Sequence, residues 1–192
     1  MSLDPDHRGR EVAAIFLEHA PSLFEDLVAS DVWVAASGAL PGAAPAALEP
    51  QGDRDPVARA PQADAIARAR REWDAFALYA CVRGLVAGGG FNRETAASIE
   101  VLHETVVAHW RSEPRDEAAE RAHISKRYAE YGEIGQAGGK SGAESVTLRL
   151  GAAAARHMLG DKPGDDPGTV AELVGALHES LAESVTEYVR RG

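Results

Sequence analysis

Two E-x-x-H steps, Glu100-Val101-Leu102-His103 and Glu120-Arg121-Ala122-His123, are the residues of this chain best spaced for chemistry. Residues three apart share one face of a helix, so each step can offer a carboxylate and an imidazole to one ion. Two such steps, joined by a glutamate from each of two further helices, make a di-iron or manganese carboxylate centre of the kind that supports oxidoreductase chemistry. Glu104, beside His103, could add another oxygen. The flanking residues argue against this use. The apolar stripe of Ile99, Leu102 and Val106 sits partly away from Glu100 and His103, and Glu120 and His123 stand among Arg115, Asp116, Glu117, Arg121 and Lys126. Metal centres of this type project into a bundle core, whereas such a neighbourhood describes a solvated face. The plainer expectation is surface ion pairs, Glu117 with Arg121 and Glu120 with His123.

The run Gly135-Gln136-Ala137-Gly138-Gly139-Lys140-Ser141 resembles a nucleotide-binding loop but lacks its first glycine, since Ile134 stands five residues before Gly139. It also follows a charged segment rather than a buried strand. Ser141-Gly142-Ala143-Glu144 reads better as a capping box that opens the next helix. Successive glycines before a helix N-terminus can still gather backbone N–H groups around an anion, so Gly138, Gly139, Lys140 and Ser141 form a candidate phosphate or carboxylate site.

A third candidate lies on the most apolar segment. Arg83 stands among Cys81, Val82, Leu85 and Val86, where a guanidinium must snorkel, pair or face a cavity. With Trp73 and Tyr79 it could hold the carboxylate of a small ligand; pairing with an Asp or Glu is the structural alternative. Cys81 in this setting is an inert thiol. His157 and His178 fall beside apolar stripes, and would approach one another if their helices packed antiparallel. No H-E-x-x-H, nucleophile elbow, dinucleotide fingerprint or EF-hand loop occurs.

Composition narrows the classes. The 192 residues suit one domain, and 45% hydrophobic residues exclude global disorder. A net charge of −10 disfavours nucleic acid and anionic membrane surfaces as partners. One cysteine excludes an internal disulfide and a multi-cysteine zinc site. The first residues, including Asp4, Pro5 and Asp6, lack the apolar run of a secretory signal, so the expectation is a cytoplasmic protein.

The elements that must position these residues are almost all helical in period. Val12, Ile15, Phe16, Leu23, Phe24, Leu27 and Val28 keep one stripe through Pro21, which predicts two helices meeting at a kink. Val32-Trp33-Val34 is the best strand candidate. From 38 to 61 five prolines among Ala, Gly and Asp predict an irregular connection of low complexity, a composition that favours disorder. Helices are expected from Gln62 to Ala87, ended by Gly88-Gly89-Gly90; from Asn92, as N-cap, through Trp110; from near Pro114 to Tyr131; from Ser141 to Gly160; and from Pro167 along the stripe Val170 to Tyr188. The reading is all-α: a single domain built as an antiparallel bundle of about five to seven helices. Its expected function is a non-catalytic small-ligand or protein-binding module, with a homodimer through the last helix as one expected assembly. The alternatives are the metal-dependent oxidoreductase and an anion-binding enzyme centred on Lys140 and Ser141.

Overall fold

A computed structural model describes residues 4–37, 56–110, 116–137, 145–160 and 167–192. These form seven helices and no strand: α1 (Pro5–Ala29), α2 (Asp31–Ser37), α3 (Pro56–Gly89), α4 (Arg93–Trp110), α5 (Glu117–Ala137), α6 (Val146–Leu159) and α7 (Pro167–Arg191). No described helix is long and apolar enough to cross a membrane.

The all-α bundle matches the periodicity, and its departures have local causes. Trp33 lies in α2, not in a strand: its two valine neighbours give too short a run to pair, and one helical turn buries Trp33 and Ala36 together. Pro21 sits inside one continuous α1. The carbonyl just before it, on Ala20, accepts the Trp73 indole N–H at 2.7 Å, which ties the proline segment to α3. Helix α3 begins at Pro56, so residues 56–61 of the expected irregular stretch are helical; proline suits a first helical position, where its missing N–H is not needed. The remainder, 38–55, lies outside the described residues. Helix α5 continues six residues past Tyr131 to Ala137. Helix α6 is capped by Ser145, whose side chain accepts from Leu148 N, four residues beyond the Ser141 expected to cap it.

Two caps fall where the sequence puts them. Gly90 takes φ 77°, a left-handed conformation that favours glycine, and closes α3 with Gly90 N on Val86 O at 2.8 Å. Asn92 caps α4, accepting from Thr95 N at 2.9 Å while its amide donates to Gly89 O at 2.6 Å. Phe91 is held between them.

Helix α3 is the central member, packed on α7, α6, α1, α4 and α5. Trp73, Phe76, Leu78, Cys81 and Leu85 are all fully buried along it, each large side chain contributing about 1.5–3 kcal/mol of transfer free energy. Neighbour directions are mixed. Helices α6 and α7 are antiparallel, as are α1 and α3. Helices α3 and α7 run the same way: Phe76 stacks on His178, and Gly84 meets Ala182 and Val185. Close approach explains two glycines. A Cβ on Gly84 would stand 2.6 Å from Ala182 O, and one on Gly151 would overlap Ala171 O.

Candidate functional site

The charges of the middle of α3 and of α5 meet in a buried network. Glu72 receives two short bonds from Arg127, Nε to Oε2 at 2.6 Å and Nη2 to Oε1 at 2.7 Å. His123 Nε2 stands 3.4 Å from the same carboxylate. Burial alone would raise the Glu72 carboxyl. The bonds and charges of His123 and Arg127 outweigh it and hold the group at about 2. Glu120, itself buried, pairs with Arg71 Nε at 2.9 Å. Glu130 collects Arg127, Arg156 and His157 at 3.3, 2.9 and 2.7 Å, which links α5 to α6.

These positions redistribute the metal candidates. Glu100 and Glu104 are exposed, and His103 shares a 2.9 Å hydrogen bond with the Tyr128 hydroxyl. Burial pushes His103 down to about 4, so it is neutral at pH 7. The expected Glu117–Arg121 pair is present at 3.1 Å. Glu120 and His123 do not pair with each other: both turn toward α3, on Arg71 and Glu72. Among the described residues no group of three or more His, Cys, Asp or Glu side chains is placed to hold a metal ion. The structure thus keeps the two E-x-x-H steps apart and gives Glu120 an arginine instead of an ion. The anion candidates Gly138, Gly139, Lys140 and Ser141 lie outside the described residues.

Next along α3 comes an aromatic cluster. His178 stacks on Phe76 with ring centroids 4.1 Å apart, and its Nδ1–H donates to the Phe76 carbonyl at 3.1 Å. Burial, aided by the Arg83 charge, lowers His178 to about 3, which keeps it neutral. His157 lies on Glu130, so the two histidines do not meet. Tyr79 leans on Tyr128, Tyr131 and His178. Burial raises the phenols of Tyr79, Tyr128 and Tyr131, and the Cys81 thiol as well. All of these stay protonated at neutral pH, and none is an activated nucleophile.

The ligand candidates separate. Trp73 is fully buried with its indole N–H on Ala20, ten residues and about 15 Å of helix from Arg83. It is a packing residue, unavailable to a ligand that touches Arg83. Tyr79 and Arg83, by contrast, line one groove of about 370 Å³ between α3 and α7. Val82, Val86, Ala87 and Ala182 give it an apolar wall, and Glu179, Glu183 and Thr186 a polar edge. Arg83 pairs there with Glu179 at 2.8 and 3.5 Å, and Thr147 Oγ1 donates to the same carboxylate at 3.3 Å. Phe91, 94% exposed, completes the rim.

Sequence reasoning missed Phe91, Glu179 and Glu183. Phe91 did carry a signal, a large aromatic set between a Gly90 C-cap and an Asn92 N-cap. The two glutamates did not, being two of many acidic residues off an apolar stripe. No family model, curated protein or solved structure matches this chain.

Proposed function

We propose that this chain is a non-catalytic binding module that takes up a small, largely apolar ligand in the α3–α7 groove. The observation that carries the reading is Phe91: a large apolar side chain, 94% exposed, at the rim of a groove with an aliphatic wall. Two helix caps fix the backbone on either side of it, so the ring is presented rather than trailing. A volume of about 370 Å³ matches small-molecule sites, which span roughly 300–1,000 Å³. Around the groove, His178 is buried and held neutral and Arg83 is paired with Glu179.

The oxidoreductase alternative, on Glu100, His103, Glu120 and His123, would require Glu120 to leave Arg71 and His103 to leave Tyr128. The anion-binding alternative rests on Lys140 and Ser141, and phosphate that raises the melting temperature would support it. Our reading extends to a cytoplasmic protein; a homodimer covering Phe91 is the competing occupant of the groove.

The test is saturable binding of a neutral naphthylamine fluorophore. One site per chain, lost in Val86→Asp with helicity unchanged, supports the reading. No saturable binding, or binding indifferent to Val86→Asp, overturns it. Affinity that falls as protein concentration rises would assign the groove to a second copy.

A further inference from the structure

We infer that the ligand of this groove is a small organic cation, an ammonium or amidinium group carried on an apolar or aromatic body. The inference rests on the proposed binding site and adds the charge of what fills it.

Among the described residues, three charged side chains line the groove: Arg83, Glu179 and Glu183. Arg83 is matched within the fold, its guanidinium donating twice to Glu179. That carboxylate also accepts from Thr147, so its position is fixed from α6 as well as from α3. Glu183 is different. It is exposed and meets no basic side chain among the described residues. The groove therefore carries one unmatched negative charge among the described residues, and an anionic ligand at Arg83 would meet a guanidinium whose charge Glu179 already neutralises, with Glu183 close by. A carboxylate bound by Arg83, the natural expectation from an arginine on an apolar helix, is disfavoured by the pairing.

Position strengthens the charge argument. Glu183 lies one helical turn beyond Glu179 on α7, and α7 runs parallel to α3, so Glu183 falls on the Phe91 side of Arg83. An unmatched carboxylate then shares the groove with two aromatic rings, Tyr79 and Phe91. A cation is attracted to the face of an aromatic ring as well as to a carboxylate, and the apolar wall takes the body that carries it. The net charge of −10 favours approach of a cation from solution.

The experiment is displacement of the naphthylamine fluorophore by three ligands that share a benzyl group and differ in charge: benzyltrimethylammonium, benzyl alcohol and phenylacetate. The cation should displace at the lowest concentration, at least tenfold below phenylacetate. Glu183→Gln, an exposed substitution that leaves the fold intact, should weaken the cation about three- to fivefold and leave benzyl alcohol unchanged, in keeping with a solvent-exposed charge pair. Added salt should weaken the cation and not the alcohol. Phenylacetate displacing as well as the cation, or a cation preference untouched by Glu183→Gln, overturns the inference while the groove remains a site. Failure of the fluorophore itself to bind overturns the site and the inference together.

Discussion

The middle of α3 and its C-terminal end meet charge in different surroundings. From Arg70 to Asp74 each charged side chain has a partner at short range: Arg70 with Asp74, Arg71 with Glu120, Glu72 with Arg127. Glu72 and Asp74 are buried, and the Arg71–Glu120 and Glu72–Arg127 pairs fix how α5 docks. From Tyr79 to Ala87 the same helix, with Phe91 just past its end, faces an open groove where its Arg83 is matched by Glu179 and the Glu183 of α7 opposite is not. A buried charge must be satisfied or it destabilises the fold. An unsatisfied charge persists only where water, or a ligand, can reach it. The middle is thus an assembly device and the end a surface for recognition, and substitutions in the two regions should separate stability from binding.

The largest effect is expected in the middle of α3. Arg127→Met leaves the Glu72 carboxylate buried without its bidentate partner, at a cost of about 3–5 kcal/mol. Replacing both, Glu72→Leu with Arg127→Met, should recover most of that loss, since an apolar pair of similar volume is often as stable as a buried ion pair. Urea unfolding measures both. A loss under about 1 kcal/mol in the single variant would mean that water reaches Glu72, and the contrast between the two regions would fail.

Acid should reveal the same region by its proton uptake. Glu72 is held at about 2 in the fold against an ordinary 4.5. Its contribution is therefore complete above pH 4.5 and is lost as pH falls toward 2, amounting to about 3 kcal/mol. His178 and His103, lowered to about 3 and 4 from 6.5, refuse protons that the unfolded chain accepts. Stability should accordingly begin to fall below pH 6.5, by up to about 1.4 kcal/mol per pH unit for each histidine. His178→Leu should flatten the curve between pH 6.5 and 4.5, and the Glu72→Leu/Arg127→Met double variant should flatten it below 4.5. A single transition unaffected by either change would show that other groups carry the acid response.

How much of this was readable beforehand follows the range of the interactions. The helices of α4 and α7, the Gly90 and Asn92 caps and the burial of Cys81 rest on residues within a turn or two, and the periodicity contained them. The Glu72–Arg127 pair joins residues 55 apart in sequence, and no local pattern selects it over the other acidic and basic residues available. The E-x-x-H spacing placed Glu120 and His123 on one face correctly, but the face meets Arg71 and Glu72 of α3 and not a second metal-binding step. Trp73 and Arg83 share α3, yet ten residues of helix separate a buried packing residue from a groove residue. Arg83 and Glu179, 96 apart, show the same limit.

The contact between α3 and α7 tests whether the groove depends on the packing beneath it. Gly84→Ala places a Cβ 2.6 Å from Ala182 O and 2.6 Å from Val185 Cβ, and a backbone oxygen cannot turn aside as a side chain can. The helices must separate, at about 1–3 kcal/mol. Because Ala182 also lines the groove, the fluorophore affinity should change in the same variant. Unchanged affinity alongside lost stability would place the ligand elsewhere.

The smallest effect on stability is the sharpest test of the comparison. Phe91 is 94% exposed, so Phe91→Ala removes almost no buried surface and should move the unfolding free energy by less than about 0.5 kcal/mol. Gly90 and Asn92 keep their caps without it, since those bonds use backbone groups and the Asn92 amide. Binding should respond all the same. The ring closes the rim of the groove, and its loss should weaken benzyltrimethylammonium by roughly two- to fivefold, the size expected for a cation over an exposed aromatic face. Phe91→Tyr, which keeps a ring, should retain most of the affinity. If Phe91→Ala instead destabilises the chain by more than about 1 kcal/mol, the ring is covered in solution and the groove already has an occupant, which sedimentation at several protein concentrations would identify as a second copy.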